Sequence, residues 1–421
     1  MEKGTIMMDN VQEIREIVNP VFNTAKSCIQ LDAIAGDEDS RQLIGALGFG
    51  GFADAKDNDR VPAELVEKVK RLFPVYTVLT DSRFQIVNNL IKSFSDRIVV
   101  DLPCGYTARG IKMSRQGRVY YGFDLPAVTE DIDPATAKII GDDKNIHYAA
   151  VDATNYDSMA APLKGEQKEL LITTEGLLMY FTQQELEEVF ANIRRILQKY
   201  GGSWVIVDRA YYTHDSAIAS AVLDNDPGLI ALYTAITKKA AGTTADVKFN
   251  DNIIFQGTDE EIKTFIGEMG FEVKEIGMGD YLPDHFGVLA PMSAEDARVR
   301  EVFRGMNFWE LTVKENSEQK TVENLPFRVE SEFADSKFTA RIQGRVDTIT
   351  APELLKQFQK ADGLKAVELV IEKMSYISSA GLRVLLIMYK ALDDKEQFKL
   401  VGMTDSVKEI MEVTGFDQFF L

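Results

Sequence analysis

The chain is predicted to be an α/β protein of two domains, and three observations carry that prediction. From about residue 97, short apolar runs alternate with helical segments. Such alternation builds a parallel sheet with crossover helices. A polar, aperiodic stretch at 313–325 interrupts it, and a second, shorter alternation follows. The length of 421 residues agrees, because one domain ordinarily takes about 100–200 residues.

Taken in order, residues 1 to about 95 read as mainly helical. Leu65, Val66, Val69, Leu72 and Phe73 fall at helical spacing, and Pro74 is the expected stop. Phe84–Ile91 carries a second apolar face, and Gly48-Phe49-Gly50-Gly51-Phe52 breaks the helical pattern earlier. Strands are expected at 97–102, 119–124, 146–151, 169–174 and 203–208, with the clearest helix between them at Gln183–Leu197. A helical stretch at about 215–240 reads as a packing helix or a substrate lid. Strands at about 271–276 and 286–290 are expected to close the sheet's far edge. The 313–325 stretch reads as a linker. Beyond it come strands at 327–333 and 337–343, a helix at 351–361, a strand at 366–371, a helix at 380–392, a strand at 397–401 and a helix at 405–414. The expected domains are therefore 1–312 and 326–421, joined by 313–325.

Composition excludes several classes. A hydrophobic fraction of 45% with 27% charged residues is that of a soluble globular protein. The net charge is −19, of which −2 falls in residues 326–421. Nucleic-acid backbones need clustered Lys and Arg, so no nucleic-acid partner is expected. The two cysteines, Cys28 and Cys104, make neither a disulfide framework nor a metal knuckle, and no metal is expected. No apolar run approaches 18 residues and the first ten residues lack a signal-peptide core. The expectation is a cytoplasmic protein without a membrane span.

Acidic residues fall at four successive strand ends. Asp101 closes Ile98-Val99-Val100-Asp101, and Gly105 follows in the turn. Asp124 closes Tyr120-Tyr121-Gly122-Phe123-Asp124, Asp152 closes the third strand and Glu175 the fourth. In open α/β sheets ligands sit where strands end and helices begin. An acid some 20 residues past the first turn commonly accepts hydrogen bonds from ribose hydroxyls. A full G-x-G-x-x-G and a lysine-bearing phosphate loop are both missing, which disfavours a phosphate-rich ligand. A ligand with ribose, adenine and an amino-acid tail suits these residues better.

Residues of about 70–290 resemble the class I S-adenosylmethionine-dependent methyltransferases, in the branch of leucine carboxyl methyltransferase-like O-methyltransferases. The resemblance rests on Asp101-Leu102-Pro103-Cys104-Gly105-Tyr106-Thr107-Ala108-Arg109, on Asp124-Leu125-Pro126 and on Glu175-Gly176-Leu177-Leu178-Met179-Tyr180-Phe181. It implies a Rossmann-like methyltransferase sheet with a helical N-terminal extension, and S-adenosylmethionine as cofactor. By that resemblance Asp101 and Gly105 lie against the methionine part, and Asp124 with Leu125 holds the ribose. Asp152 with Ala153 meets the adenine, Glu175 lines the pocket, and Arg83 stands near the cofactor carboxylate. Pro103 departs from the family's usual glycine, Thr107-Ala108 from its usual acid and threonine, and Gly122 from a frequent acid.

Methyl transfer to a carboxylate needs alignment but no base, whereas a hydroxyl acceptor is helped by one. Candidate bases are Asp208, Tyr211, Tyr212, His214 and His285, and sequence does not choose among them. Cys104, with no histidine near it in sequence, reads as a packing residue.

The second alternation contains Ile377-Ser378-Ser379-Ala380-Gly381-Leu382, a strand ending in hydroxyls at a helix start. Either serine reads as an ordinary N-cap. A phosphate there would meet free backbone N–H groups and the positive helix end. Residues 327–421 resemble the STAS domain of anti-sigma factor antagonists. The match lies in Gly344-Arg345-Val346-Asp347-Thr348-Ile349-Thr350-Ala351, Ile377–Leu385 and Val413-Thr414-Gly415-Phe416. It implies a small α/β domain that meets an anti-sigma factor or kinase, with Ser379 in the place of the phosphorylated serine. Ser378 stands where many relatives have aspartate. The combined expectation is an O-methyltransferase for a small carboxylate or hydroxyl, with a phospho-regulated docking module. The alternatives are a non-catalytic S-adenosylmethionine sensor and a pure antagonist acting through protein contacts.

Overall fold

The computed structural model describes residues 22–49, 63–243, 252–289, 292–314, 326–358, 363–404, 407, 408, 410, 411 and 416–420. Two compact units emerge, one from Asn23 to Ser317 and one containing Glu318–Leu421.

The first unit begins with α1 (Phe22–Ala35), α2 (Glu38–Leu47) and α3 (Ala63–Lys92). Asp37 caps α2 by accepting from the Ser40 amide, and Gly48 ends it at φ 71°. The helix α3 runs straight through Pro74, against the expected stop. An interior proline costs about 3 kcal/mol. Burial of Leu72, Val75, Val78, Phe84, Ile86, Val87, Leu90 and Ile91 along the same helix outweighs that, at about 1.5–3 kcal/mol per large apolar side chain.

The sheet then forms from β1 (Ile98–Asp101), α4 (Arg109–Arg115), β2 (Tyr120–Asp124), α5 (Pro126–Ile140), β3 (Ile146–Ala150), α6 (Tyr156–Ala160), β4 (Leu170–Thr174), α7 (Gln183–Tyr200) and β5 (Gly202–Ile206). Its first five strands are parallel. The inner strands β1, β2, β4 and β5 are buried almost throughout because both faces are covered, whereas the edge strand β3 is half-buried. In β1, Val99 joins the core under α3, while Ile98 and Val100 join the core under α7. In β4 and β5, Leu171 and Val205 face the first core, and Leu170, Ile172, Trp204 and Ile206 face the second.

The expected helical stretch at 215–240 is two helices, α8 (Asp208–Val222) and α9 (Pro227–Thr243), parted by Asp224 and Asn225 at positive φ. Then come α10 (Ile253–Gln256), α11 (Asp259–Glu268), β6 (Phe271–Gly277), α12 (Ser293–Arg304) and β7 (Asn307–Val313). The strand expected at 286–290 is instead a 3-10 turn, Gly287–Leu289. Gly287 packs against the Ala35 carbonyl at the end of α1, where a Cβ would meet that oxygen at 1.6 Å. The strand expected at 271–276 is β6, which forms the far edge, and it is joined to the sheet by β7, which lies between β5 and β6 and runs antiparallel to both, in the order β3-β2-β1-β4-β5-β7-β6. Val313 pairs with Phe271 and belongs to that strand rather than to the linker. Residues 315–325 of the expected linker lie outside the described residues.

The second unit is a four-stranded sheet of order β11-β10-β9-β8. Its elements are β8 (Arg328–Ala334), β9 (Lys337–Val346), α13 (Ala351–Phe358), β10 (Ala366–Ile377), α14 (Ser379–Ala391), β11 (Phe398–Val401) and α15 (Asp417–Phe420). The β8–β9 hairpin turns on Asp335 and Ser336, both at positive φ, as a two-residue hairpin loop of type I′ requires. Strands β9, β10 and β11 are parallel. Val367, Leu369 and Ile371 alternate into one core with Leu354, Leu385 and Met388. Of the helix expected at 405–414, Val407, Ile410 and Met411 are buried, and 405, 406, 409 and 412–414 lie outside the described residues.

Candidate functional site

The strand order reverses direction between β1 and β4, and the acids gather at that end of the sheet. Asp101 is fully buried. Its Oδ2 accepts from Arg109 at 2.7 Å and from the Tyr120 hydroxyl at 3.1 Å, and its Oδ1 accepts from Thr173 at 3.0 Å. Both oxygens are thus held by protein, and Asp101 acts as a brace. Burial pushes its pKa up, with Arg109 opposing.

Glu175 follows β4 and accepts from two arginines, Arg83 Nε at 2.8 Å and Arg109 at 3.0 Å. Arg109, 1% exposed, also donates to Asn88 at 2.9 Å. Burial alone would raise Glu175, yet Arg109 and Arg83 together hold it below the usual carboxylate range. Helix α3 therefore delivers Arg83 and Asn88 to a buried ion network with Asp101, Arg109 and Glu175. Sequence reading had placed Arg83, Asp101 and Glu175 at one site but not Arg109 or Asn88. The signal was the Asp101-to-Arg109 spacing, one strand end and one helix start apart.

Asp124 ends β2 and accepts from the Gly105 amide at 2.7 Å and the Leu125 amide at 2.7 Å. Gly105 sits at φ 51°, the left-handed region open to glycine. Pro126 then starts α5 at a position where its missing N–H costs nothing. Burial pushes Asp124 up to about 6, against the pull of the two amides. Asp152 lies two residues beyond β3, accepting from the Thr154 amide at 2.8 Å and hydroxyl at 2.6 Å. The neighbouring Ala153 carbonyl accepts from Asn192 of α7 at 3.0 Å.

The candidate bases separate. Asp208 is 3% exposed, opens α8, and accepts from the Leu177 amide through Oδ1 at 2.9 Å. Burial pushes it up to about 6, with Arg83 opposing. Tyr211 is buried one turn on, its hydroxyl 3.3 Å from Ser82 and its ring under Arg83. Tyr212 is 46% exposed and packs edge-on against Phe255. His214 Nδ1 lies 2.9 Å from the Ala210 carbonyl of its own helix, and His285 is exposed in a loop. The structure thus brings Asp208 and Tyr211 to Arg83 and Glu175, and leaves Tyr212, His214 and His285 outside that network. Cys104 is buried under β2 and burial pushes its thiol far up, which suits packing.

Sequence reading missed one contributor altogether. Helix α1 carries Cys28 and Asp32 onto the same cluster. The Cys28 thiol hydrogen-bonds with Arg83 and is pushed up to about 11, by burial first. Asp32, one turn later on the same face, is 1% exposed. Lys112 of α4 anchors the neighbouring corner, reaching Asp37 at 2.6 Å and Asp39 at 3.2 Å. Nothing in the local pattern of α1 marks it as a site element; only its docking does. Among the described residues, no group of His, Cys, Asp and Glu is arranged to hold a metal ion, and no helix is long and apolar enough to cross a membrane.

In the second unit, Ser378 caps α14 and its Oγ accepts from the Gly381 amide at 3.4 Å. Its own amide donates to the Val346 carbonyl at 2.9 Å, so the ends of β9 and β10 are tied together. Asp347, 1% exposed, organises the adjacent turn by accepting from the Ile349 and Thr350 amides. Ser379 is the first residue of α14, and its side chain lies outside the described residues.

Comparison with known proteins gives sequence matches to the second unit and weak structural likenesses. The STAS domain family model matches residues 328–421. The anti-sigma-B factor antagonist of Staphylococcus aureus is 30% identical over 95 residues, covering 22% of this chain and 87% of that protein. The putative anti-sigma factor antagonist BtrV of Bordetella bronchiseptica is 34% identical over 89 residues, covering 20% of this chain and 77% of that protein. Among solved structures, magnesium protoporphyrin IX methyltransferase from Synechocystis aligns at 10% identity and a TM-score of 0.32, covering 60% of this chain and 95% of that one.

Proposed function

This chain belongs, through residues 328–421, to the STAS-domain family, and from that premise we propose that it is an S-adenosylmethionine-dependent O-methyltransferase whose C-terminal domain docks it to a protein partner. The observation that carries the enzymatic half is the row of carboxylates at the point where the sheet order reverses, which is where open α/β sheets bind ligands. The residues suit the cofactor chemically. Asp124 offers a carboxylate at the strand end for ribose hydroxyls, beside Leu125. Asp152 and Ala153 border the adenine from a braced turn. Gly105, without a Cβ, lets the backbone approach the methionine part, and Asp101 holds that turn through Arg109. Arg83, which donates its Nε to Glu175 and also hydrogen-bonds with Cys28, stands near the cofactor carboxylate. Glu175 orients both arginines.

When bound, S-adenosylmethionine supplies the methyl group, and the chain's contribution is alignment in a dry site. The acceptor is a small carboxylate or hydroxyl. Calorimetric titration with S-adenosylhomocysteine tests the reading. Saturable binding that Asp124→Ala abolishes is expected, and no binding to the intact protein would refute it.

For the C-terminal domain the partner is an anti-sigma factor or its kinase, and Ser379 is the phosphorylated residue. A phosphate at the start of α14 would add about −1.5 to −2 charge at a docking surface. Incubation with the cognate kinase and peptide mapping should place phosphate on Ser379. Phosphate confined to another residue would remove this assignment.

A further inference from the structure

Two buried carboxyl oxygens at the end of the sheet, Oδ1 of Asp32 and Oδ2 of Asp208, have no hydrogen-bond partner among the described residues. They come from opposite ends of the chain's first half, α1 and the start of α8, and both converge on Arg83 and Glu175. Arg83 is already engaged by Glu175 and Cys28, and Arg109 by Asp101 and Glu175. Asp81 of α3 adds a further acid on the same side, itself satisfied by Gln85 at 3.2 Å and pushed up to about 6 by burial. The acids Asp32, Asp81, Asp101, Glu175 and Asp208 thus face two arginines. A buried acceptor left without a donor is costly, about 1–3 kcal/mol for each group. Two such groups, each more than nine-tenths buried and set beside one another's charged neighbours, make a site built for a donor that the described residues do not themselves provide.

We propose that Asp32 and Asp208 form the wall of the methyl-acceptor site and select a ligand that brings hydrogen-bond donors, a hydroxyl compound with or without a basic nitrogen, and disfavour a carboxylate. The proposal rests on the methyltransferase reading above and chooses between the two acceptor classes that reading leaves open. A hydroxyl donates to Asp208 Oδ2, the free oxygen beside the cofactor-side pair Glu175–Arg83. An ammonium meets Asp32 Oδ1. A carboxylate would enter a cluster with an excess of acids over bases and find both arginines paired. Helix α1 is thereby a specificity element, carrying Asp32 into the first unit's core by way of its own docking against Gly287.

The test uses the full chain and two stages of calorimetry. In the first, S-adenosylhomocysteine is titrated into wild type, Asp32→Asn and Asp208→Asn. Affinity within twofold of wild type is expected for both variants. A loss above tenfold would assign these carboxyls to the cofactor and overturn the proposal. Failure of wild type to bind S-adenosylhomocysteine would sink the methyltransferase reading instead, which is a different outcome. In the second stage, with S-adenosylhomocysteine saturating, benzylamine, benzyl alcohol and benzoate are titrated as size-matched probes. Wild type should bind benzylamine at least tenfold more tightly than benzoate, with benzyl alcohol between them. Asp32→Asn should abolish the preference for the amine, and Asp208→Asn should weaken the alcohol about tenfold. Equal or tighter binding of benzoate to wild type overturns the proposal without reference to any variant, and so does the absence of saturable binding by all three probes.

Discussion

Replacing Arg109 with methionine is the severest test of the ion network. The guanidinium is 1% exposed and donates at 2.7 Å to Asp101, 3.0 Å to Glu175 and 2.9 Å to Asn88. Methionine fills a similar volume but leaves Asp101 without its counter-charge and Glu175 with Arg83 alone. Breaking a buried pair from one side costs about 3–5 kcal/mol, because the partner charge stays buried. For a unit of this size each kcal/mol moves the midpoint by about 2–4 °C, so a fall of about 6–20 °C is expected. The assay is direct, since both tryptophans of the chain, Trp204 and Trp309, sit in β5 and β7 of the first unit. Tryptophan fluorescence therefore follows the first unit separately from the second. The loss should also depend on pH. Arg109 and Arg83 hold Glu175 below its ordinary value. In wild type that carboxylate contributes stability above its unfolded pKa, and the contribution is lost as pH falls through the lower folded value. Without Arg109 the same carboxyl is pushed upward by burial, so the variant is penalised most at pH 8 and less at pH 5. A loss under about 1 kcal/mol, or one flat between pH 5 and 8, would refute the reasoning.

Other outcomes follow from single residues. Asp124 titrates at about 6 in the fold, above its unfolded value. Its contribution to stability is present below the unfolded pKa and is lost as pH rises through about 6, so Asp124→Asn should flatten the stability profile between pH 4 and 6. Conversely, only the ionised form accepts from two ribose hydroxyls, so S-adenosylhomocysteine affinity should fall by up to about tenfold per pH unit below 6. Calorimetry at pH 5, 6 and 7.5 checks this, and a constant affinity would contradict it. In the second unit, Ser378→Ala removes the α14 cap and should cost about 1 kcal/mol, read by circular dichroism with the tryptophan transition unmoved. Gly381→Ala places a Cβ 2.7 Å from both the Val346 carbonyl and Ile377 Cγ1. It should destabilise that unit by about 1–3 kcal/mol, and an unchanged midpoint would show that the end of β9 can shift.

Much of this protein was legible in the order of its residues. Apolar runs such as Ile98-Val99-Val100 announce a strand covered on both faces, whatever lies beside it, because neither face tolerates a polar group. The acids at the ends of the first four strands and the Asp124-Leu125-Pro126 turn are equally local, since capping and proline geometry act within a few residues. The second unit was spelled out by Ser378 and Gly381, one capping the helix and the other letting it pack against β9. What the sequence could not decide was whatever depends on distant chain segments meeting. Pro74 stays helical only because the rest of α3 is buried. The strand that joins the edge strand Phe271–Gly277 to the sheet is Asn307–Val313 rather than 286–290, where Gly287 is used to receive the end of α1. Arg109 becomes the centre of the site by reaching Asp101, Asn88 and Glu175 at once. Asp32 enters that site on a helix whose own pattern reads as ordinary, because a carboxylate's meaning is set by the charges it is buried among, and only the tertiary structure chooses them.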